Sequence, residues 1–130
     1  MFKIFNFSFF IFLFSCNLPP QKELNKDSLK KIESIKNELN AESIETSYIS
    51  KSKNGVSKLY FEITLHDIIE TKNIENYNYR LIDAFNLSGY NLQKCDYIVF
   101  FYIKNYFKAD LYKFYKLDAK TLKIVEEADN

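Results

Sequence analysis

Glycine is scarce in this sequence: Gly55 and Gly89 are the only two in 130 residues. A glycine-rich phosphate loop, a dinucleotide fingerprint and a nucleophile elbow each need several glycines close together, so those enzyme classes are excluded by content. Histidine is scarcer still. His66 stands alone, and any Ser-His or Cys-His chemistry would have to run through it. There is no tryptophan, and the two prolines are the adjacent pair Pro19-Pro20, so nothing downstream of them interrupts a helix or strand. Nor is there a surplus of one charge: 18 Lys and Arg stand against 17 Asp and Glu. No net basic character draws the chain to nucleic acid.

What the sequence has in plenty is apolar and aromatic residues, and the first sixteen use them densely. Lys3 precedes an apolar run from Ile4 to Phe14, interrupted by Asn6 and Ser8. At about 1.5 Å per helical residue this run covers roughly half of a ~30 Å bilayer core, the length of a signal-peptide core and not of a membrane span. No pair of small residues suits ordinary signal peptidase near Phe14. Leu13-Phe14-Ser15-Cys16 resembles instead the lipobox of bacterial lipoproteins. That resemblance covers the signal and nothing beyond it. It implies removal of residues 1–15, acylation of Cys16 and a membrane anchor in the cell envelope, facing the periplasm or the exterior; two or three acyl chains hold a protein on a membrane where one does so marginally. Read as a eukaryotic secretory signal instead, the same stretch would make Asn86-Leu87-Ser88 a glycosylation sequon.

Discounting Lys3, the 17 remaining basic residues equal the 17 acidic ones, and the chain from Cys16 onward is formally neutral. With Cys16 acylated, Cys95 is left as a lone thiol and no intramolecular disulfide can form. Residues 16–26, with Pro19-Pro20, read as an extended tether, and 27–130 as one domain's length.

Within that domain Leu29, Ile32, Ile35 and Leu39 recur at helical spacing, predicting a helix over about 28–40 capped by Asp27 or Ser28. Asn54-Gly55 marks a type I′ hairpin. A two-residue turn there pairs Tyr48 with Phe61, Thr46 with Ile63 and Ile44 with Leu65 on one face, and Ser47 with Glu62 and Lys51 with Lys58 on the other. Ile49 opposite Tyr60 is the misfit on the polar side. Ile74, Tyr77, Leu81, Ile82 and Phe85 predict a second helix over about 72–87, ended by Gly89 in a left-handed conformation. Cys95 to Ile103 has the composition of a central strand, and strands over 111–117 and 122–125 follow around an Asp118–Thr121 turn. The order α-β-β-α-β-β, with a short further strand, predicts an α+β two-layer sandwich: two helices on one face of a mainly antiparallel four- to five-stranded sheet.

Catalytic groups are thin on the ground. His66, Asp67 and Glu70 have the types but not the pattern of a metal site, and no cofactor or small-molecule ligand is indicated. Tyrosines concentrate in the last two long strands, whose residues are apolar on both faces. Two helices can cover only one. Tyr97, Tyr102, Tyr112 and Tyr115 are therefore the candidate protein-binding residues, of which one parity is expected to be exposed. The reading is a non-enzymatic, membrane-tethered protein-binding module of the assembly-factor, inhibitor or immunity type. The alternative is a small envelope hydrolase using carboxylates or Cys95.

Overall fold

The computed structural model describes residues 22–69, 72–105 and 110–129; the lipobox, Cys16 and Glu70 lie outside them. The elements run α1 (Lys26–Leu39), β1 (Ser43–Lys53), β2 (Val56–His66), α2 (Glu75–Leu87), a short 3-10 turn (Leu92–Lys94), β3 (Tyr97–Asn105), β4 (Asp110–Asp118) and β5 (Ile124–Asp129). The fold is α+β, with the five strands in one sheet ordered β1-β2-β3-β4-β5.

The first helix is capped one turn earlier than its sequence suggested. Asn25, not Asp27 or Ser28, is the N-cap, and its side chain accepts the Ser28 amide at 2.9 Å. The buried face of the helix is Ser28, Ile32, Ile35 and Leu39, and Leu29 is left 51% exposed. A buried serine in an apolar stripe needs a partner. Ser88, beyond the end of α2, donates to its hydroxyl at 2.6 Å and itself accepts the Asn25 amide at 2.9 Å, so the start of α1 is stitched to the end of α2.

Both helices end in the same way. Gly89 (φ +85°) follows α2, with the Gly89 amide bonded to the Asn86 carbonyl and the Tyr90 amide to Phe85. This is the Schellman arrangement, completed by the expected apolar contact between Tyr90 and Phe85, whose rings are 5.5 Å apart. Asn40 (φ +54°) fills the left-handed position after α1, and the Asn40 and Ala41 amides return to Asn37 and Lys36.

Asn54 and Gly55 both have positive φ, and the β1–β2 register places Tyr48 opposite Phe61, Thr46 opposite Ile63, Ile44 opposite Leu65 and Ile49 opposite Tyr60, as the hairpin pattern requires. The sheet is mixed, however. β1–β2, β3–β4 and β4–β5 are antiparallel, but β2–β3 is parallel. A helix between two strands gives the chain length enough to cross over and re-enter in the same direction. The β4–β5 turn is held by Asp118, whose side chain accepts the Lys120 and Thr121 amides at 2.9 and 3.0 Å; Leu122 takes φ +61° within it, so β5 begins at Ile124.

One buried cluster gathers Ile32, Ile35 and Leu39 of α1, Leu81, Ile82 and Phe85 of α2, and alternate residues of the sheet, among them Phe61, Ile63, Ile98, Phe100, Tyr102, Tyr115 and Leu117. In its midst Tyr102 donates a hydrogen bond of 2.6 Å to Asn78 Oδ1 on α2, and burial drives the Tyr102 phenol well above its ordinary pKa. The intervening strand residues point the other way and form a second face.

Candidate functional site

The second face is built by register. Because side chains alternate along a strand, the residues between the core positions fall into rows across the sheet. One row is Ile49, Tyr60 and Tyr97; the next is Ser47, Glu62, Val99, Lys116 and Glu126; a third is Thr64, Phe101, Phe114 and Ala128. An aromatic row thus flanks a charged one on each side. Tyr60 and Tyr97 have ring centroids 5.2 Å apart, and Phe101 and Phe114 5.3 Å. All four rings are half-buried. Val99, in the charged row, is 3% exposed and yet outside the core cluster.

Lysines cover the tyrosine row. Lys116 Nζ stands 4.3 Å from the Tyr97 centroid and 5.4 Å from that of Tyr60, and Lys51 Nζ lies 4.7 Å over Tyr60. Lys51 also reaches Glu62 at 3.8 Å. Ammonium groups over ring faces gain from the ring quadrupole while their stems shield apolar area. The face therefore suits water in isolation without being deeply buried. Beyond the tyrosine row the hairpin tip encloses a cleft of about 560 Å³, with Lys51, Lys53, Val56 and Lys58 on its wall beside Tyr60 and Tyr97.

The four candidate tyrosines separate. Tyr97 lies on this second face. Tyr102 and Tyr115 are 0% and 3% exposed and belong to the core, which removes them from any contact surface; burial raises the Tyr115 phenol. Tyr112 sits where the β3–β4 register shifts after Tyr102, and packs against the core cluster from the side. Phe101 and Phe114 share the parity of Tyr97, as strand alternation requires, but lie outside a candidate set restricted to tyrosines. Tyr60 lies outside it too, and its trace in the sequence is Ile49 opposite it, a misfit in an otherwise polar row of the hairpin.

The groups offered for hydrolytic chemistry lie apart among the described residues. Cys95 is fully buried and burial pushes its thiol up to about 11, the reverse of what a nucleophile needs. Its neighbour Asp96 donates its amide to Leu59, whereas His66 ends β2 seven residues on, about 23 Å away at ~3.3 Å per residue. The two stand at opposite ends of the strand. His66 lies 3.3 Å from Glu45. Asp67 shares a hydrogen bond with Glu42 that raises the Glu42 carboxyl. Among the described residues no group of three or more His, Cys, Asp or Glu could hold a metal ion. A depression of about 830 Å³ lies between Lys72–Glu75 and Tyr112, Lys113 and Tyr115, with Glu75 the one carboxylate among its described lining residues.

Comparison with family models, with curated proteins and with solved structures gives no match. Among the described residues no helix is long and apolar enough to cross a membrane.

Proposed function

We propose that this chain is a non-enzymatic cell-envelope lipoprotein, anchored through Cys16, whose domain captures a protein partner on the second sheet face. In this reading both helices layer on the core face of the sheet as a two-layer sandwich, and the other face stays available. The observation that carries it is the aromatic row of Phe101 and Phe114, half-buried and outside the core cluster. Aromatic side chains offer large contact area at low entropic cost, which is why they dominate binding hot spots. Assembly factors, inhibitors and immunity proteins all act by occupying a partner's surface, and this architecture suits that mode.

The test is site-specific photo-crosslinking in the native envelope from positions 101 and 114, with position 30 on α1 as control. A discrete crosslinked product from the sheet positions alone is expected, and it should disappear in Phe114→Ala probed from position 101. Equal crosslinking from Lys30 would remove the reason to assign the partner to this face.

A further inference from the structure

The positive charges of the chain are not spread evenly, and the topology shows where they collect. β2 and β3 are parallel, so the start of both lies at one end of the sheet, together with the β4–β5 turn, since Tyr97 pairs with both Tyr60 and Asp118. The β1–β2 hairpin projects beyond that end: from Tyr60, where the pairing with β3 begins, back to Val56 is four residues, about 13 Å. Lys51, Lys53 and Lys58 stand on the projection, all exposed, with Val56 54% exposed at its tip. Lys120 and Lys123 lie at the adjoining turn, and Lys116 is held over Tyr97. Of the acidic groups at this end Glu62 is engaged by Lys51, Asp96 by the Leu59 amide and Asp118 by its own turn, while Glu126 stands across from Lys116 and Glu23 beside Lys22. At the opposite end Glu42, Glu45, Asp67, Glu75 and Asp110, around the start of β1, the end of β2 and the starts of α2 and β4, outnumber Lys72, Lys104 and Lys113, the last of which is paired with Asp129. A formally neutral domain is thus electrically polar.

The N-terminal segment leaves from the basic end. Lys22 is fixed to Tyr90, whose hydroxyl accepts the Lys22 amide at 3.1 Å and donates to its carbonyl at 2.9 Å, and Tyr90 packs on Phe61 and Tyr48 at 5.6 and 6.4 Å between centroids. Six residues separate Lys22 from Cys16, which fully extended reach about 20 Å. That exceeds the hairpin's projection beyond Tyr60, so the anchor can reach the level of the tip.

We infer that the β1–β2 hairpin tip rests on anionic lipid headgroups of the membrane that holds the anchor, with Lys51, Lys53 and Lys58 as the phosphate-facing cations and Tyr60 and Tyr97 at the interfacial level. This rests on the lipid-anchor reading of Cys16. Basic residues near an anionic bilayer each gain about 1 kcal/mol, within a Debye length, and tyrosine with lysine is the pairing suited to an interface that is wet on one side. Held so, the domain turns its acidic end outward and leaves the Phe101–Phe114 row for a partner.

The experiment uses the full mature lipoprotein carrying Val56→Cys, labelled with a polarity-sensitive fluorophore; Cys95 is buried with a raised thiol pKa and Cys16 is consumed by acylation, so the label goes to position 56. It is placed on vesicles of phosphatidylcholine alone or with about one-third phosphatidylglycerol, which supplies the negative surface potential. Flotation reads the anchor and fluorescence reads the tip. Flotation with both vesicles is expected, with a blue shift and several-fold lower access to an aqueous quencher on the anionic ones only, reversed by salt and by Lys51→Gln/Lys53→Gln/Lys58→Gln but not by Lys30→Gln/Lys31→Gln. Failure to float on neutral vesicles would overturn the anchor and this inference with it. Flotation on both with position 56 equally quenched, or equally protected, on both would overturn the inference alone and leave the basic end to an acidic partner protein.

Discussion

Two residues show how little of a side chain's worth is in its own contacts. At Gly55 a Cβ would meet nothing within 4 Å, so the site has room for any residue, yet φ is +78° and a β-branched side chain resists that conformation. Gly55→Val is expected to destabilise the domain by ~1 kcal/mol or more, and Gly55→Asn by clearly less, because asparagine tolerates the left-handed region. Urea unfolding of the two variants checks it; equal costs would mean that packing and not φ governs the turn. Tyr102 presents the opposite case, a residue whose one polar atom matters because it is buried. Its hydroxyl satisfies Asn78 Oδ1, while Asn78 Nδ2 has no hydrogen-bond partner in the structure. Tyr102→Phe should cost ~1–3 kcal/mol by leaving a buried amide oxygen unbonded, and adding Asn78→Leu should recover part of that loss. Additive costs in the double variant would show that the pair is not coupled.

At the scale of elements, Cys95 gives the β2–β3 junction a built-in reporter. The thiol is fully buried beside the start of β3, and with its pKa pushed up to about 11 its reaction with an aromatic disulfide at neutral pH should be limited by local opening. Labelling at a rate near that of a free thiol in the folded protein would contradict the placement. The elements themselves were largely legible in the sequence because local rules spoke clearly. Asn54-Gly55 set the hairpin and its register, Gly89 ended α2, and periodicity marked both helices. Two things escaped. The buried face of α1 includes Ser28, whose partner Ser88 is remote in sequence, as are the Ser88 and Leu87 partners of the Asn25 cap, so spacing alone does not reveal the buried serine. The parallel β2–β3 pairing depends on a crossover that local pattern does not encode, and with it goes the composition of the second face: Tyr60 meets Tyr97 only because the strands run the same way. The four candidate tyrosines were chosen for residue type on both parities, and a bulge together with the core's need for bulk assigned Tyr102, Tyr112 and Tyr115 elsewhere.

On the scale of the whole molecule, acid titration should expose two ion sites of opposite sign. Glu38 on α1 is gripped by Arg80 of α2 through both carboxylate oxygens, at 2.9 and 2.6 Å, with Ser34 and Tyr77 adding hydrogen bonds, and the guanidinium bonds pull its pKa down to about 2. A carboxyl held lower when folded than when unfolded stabilises fully above its ordinary value, and that contribution fades as pH falls from there toward about 2. Asp118, lowered by the Thr121 and Lys120 amides, acts in the same direction. Glu42 runs the other way. The hydrogen bond it shares with Asp67 raises its pKa when folded, so the shared proton stabilises in acid and that contribution is lost as pH rises through the folded value. Glu38 and Glu42 are exposed and Asp118 is half-buried, and the effects will be modest in salt. Melting temperatures measured from neutral pH down through the carboxylate range should therefore fall on the acid side in the parent protein, fall less in Glu38→Gln, and fall more steeply in Glu42→Gln, which starts from a higher value at neutral pH because a like-charge contact is gone. If Glu42→Gln instead lowered the neutral melting temperature, Glu42 would be stabilising the fold as an anion, and the crowding of acids at this end would be a structural requirement and not the free pole of a domain turned away from its membrane.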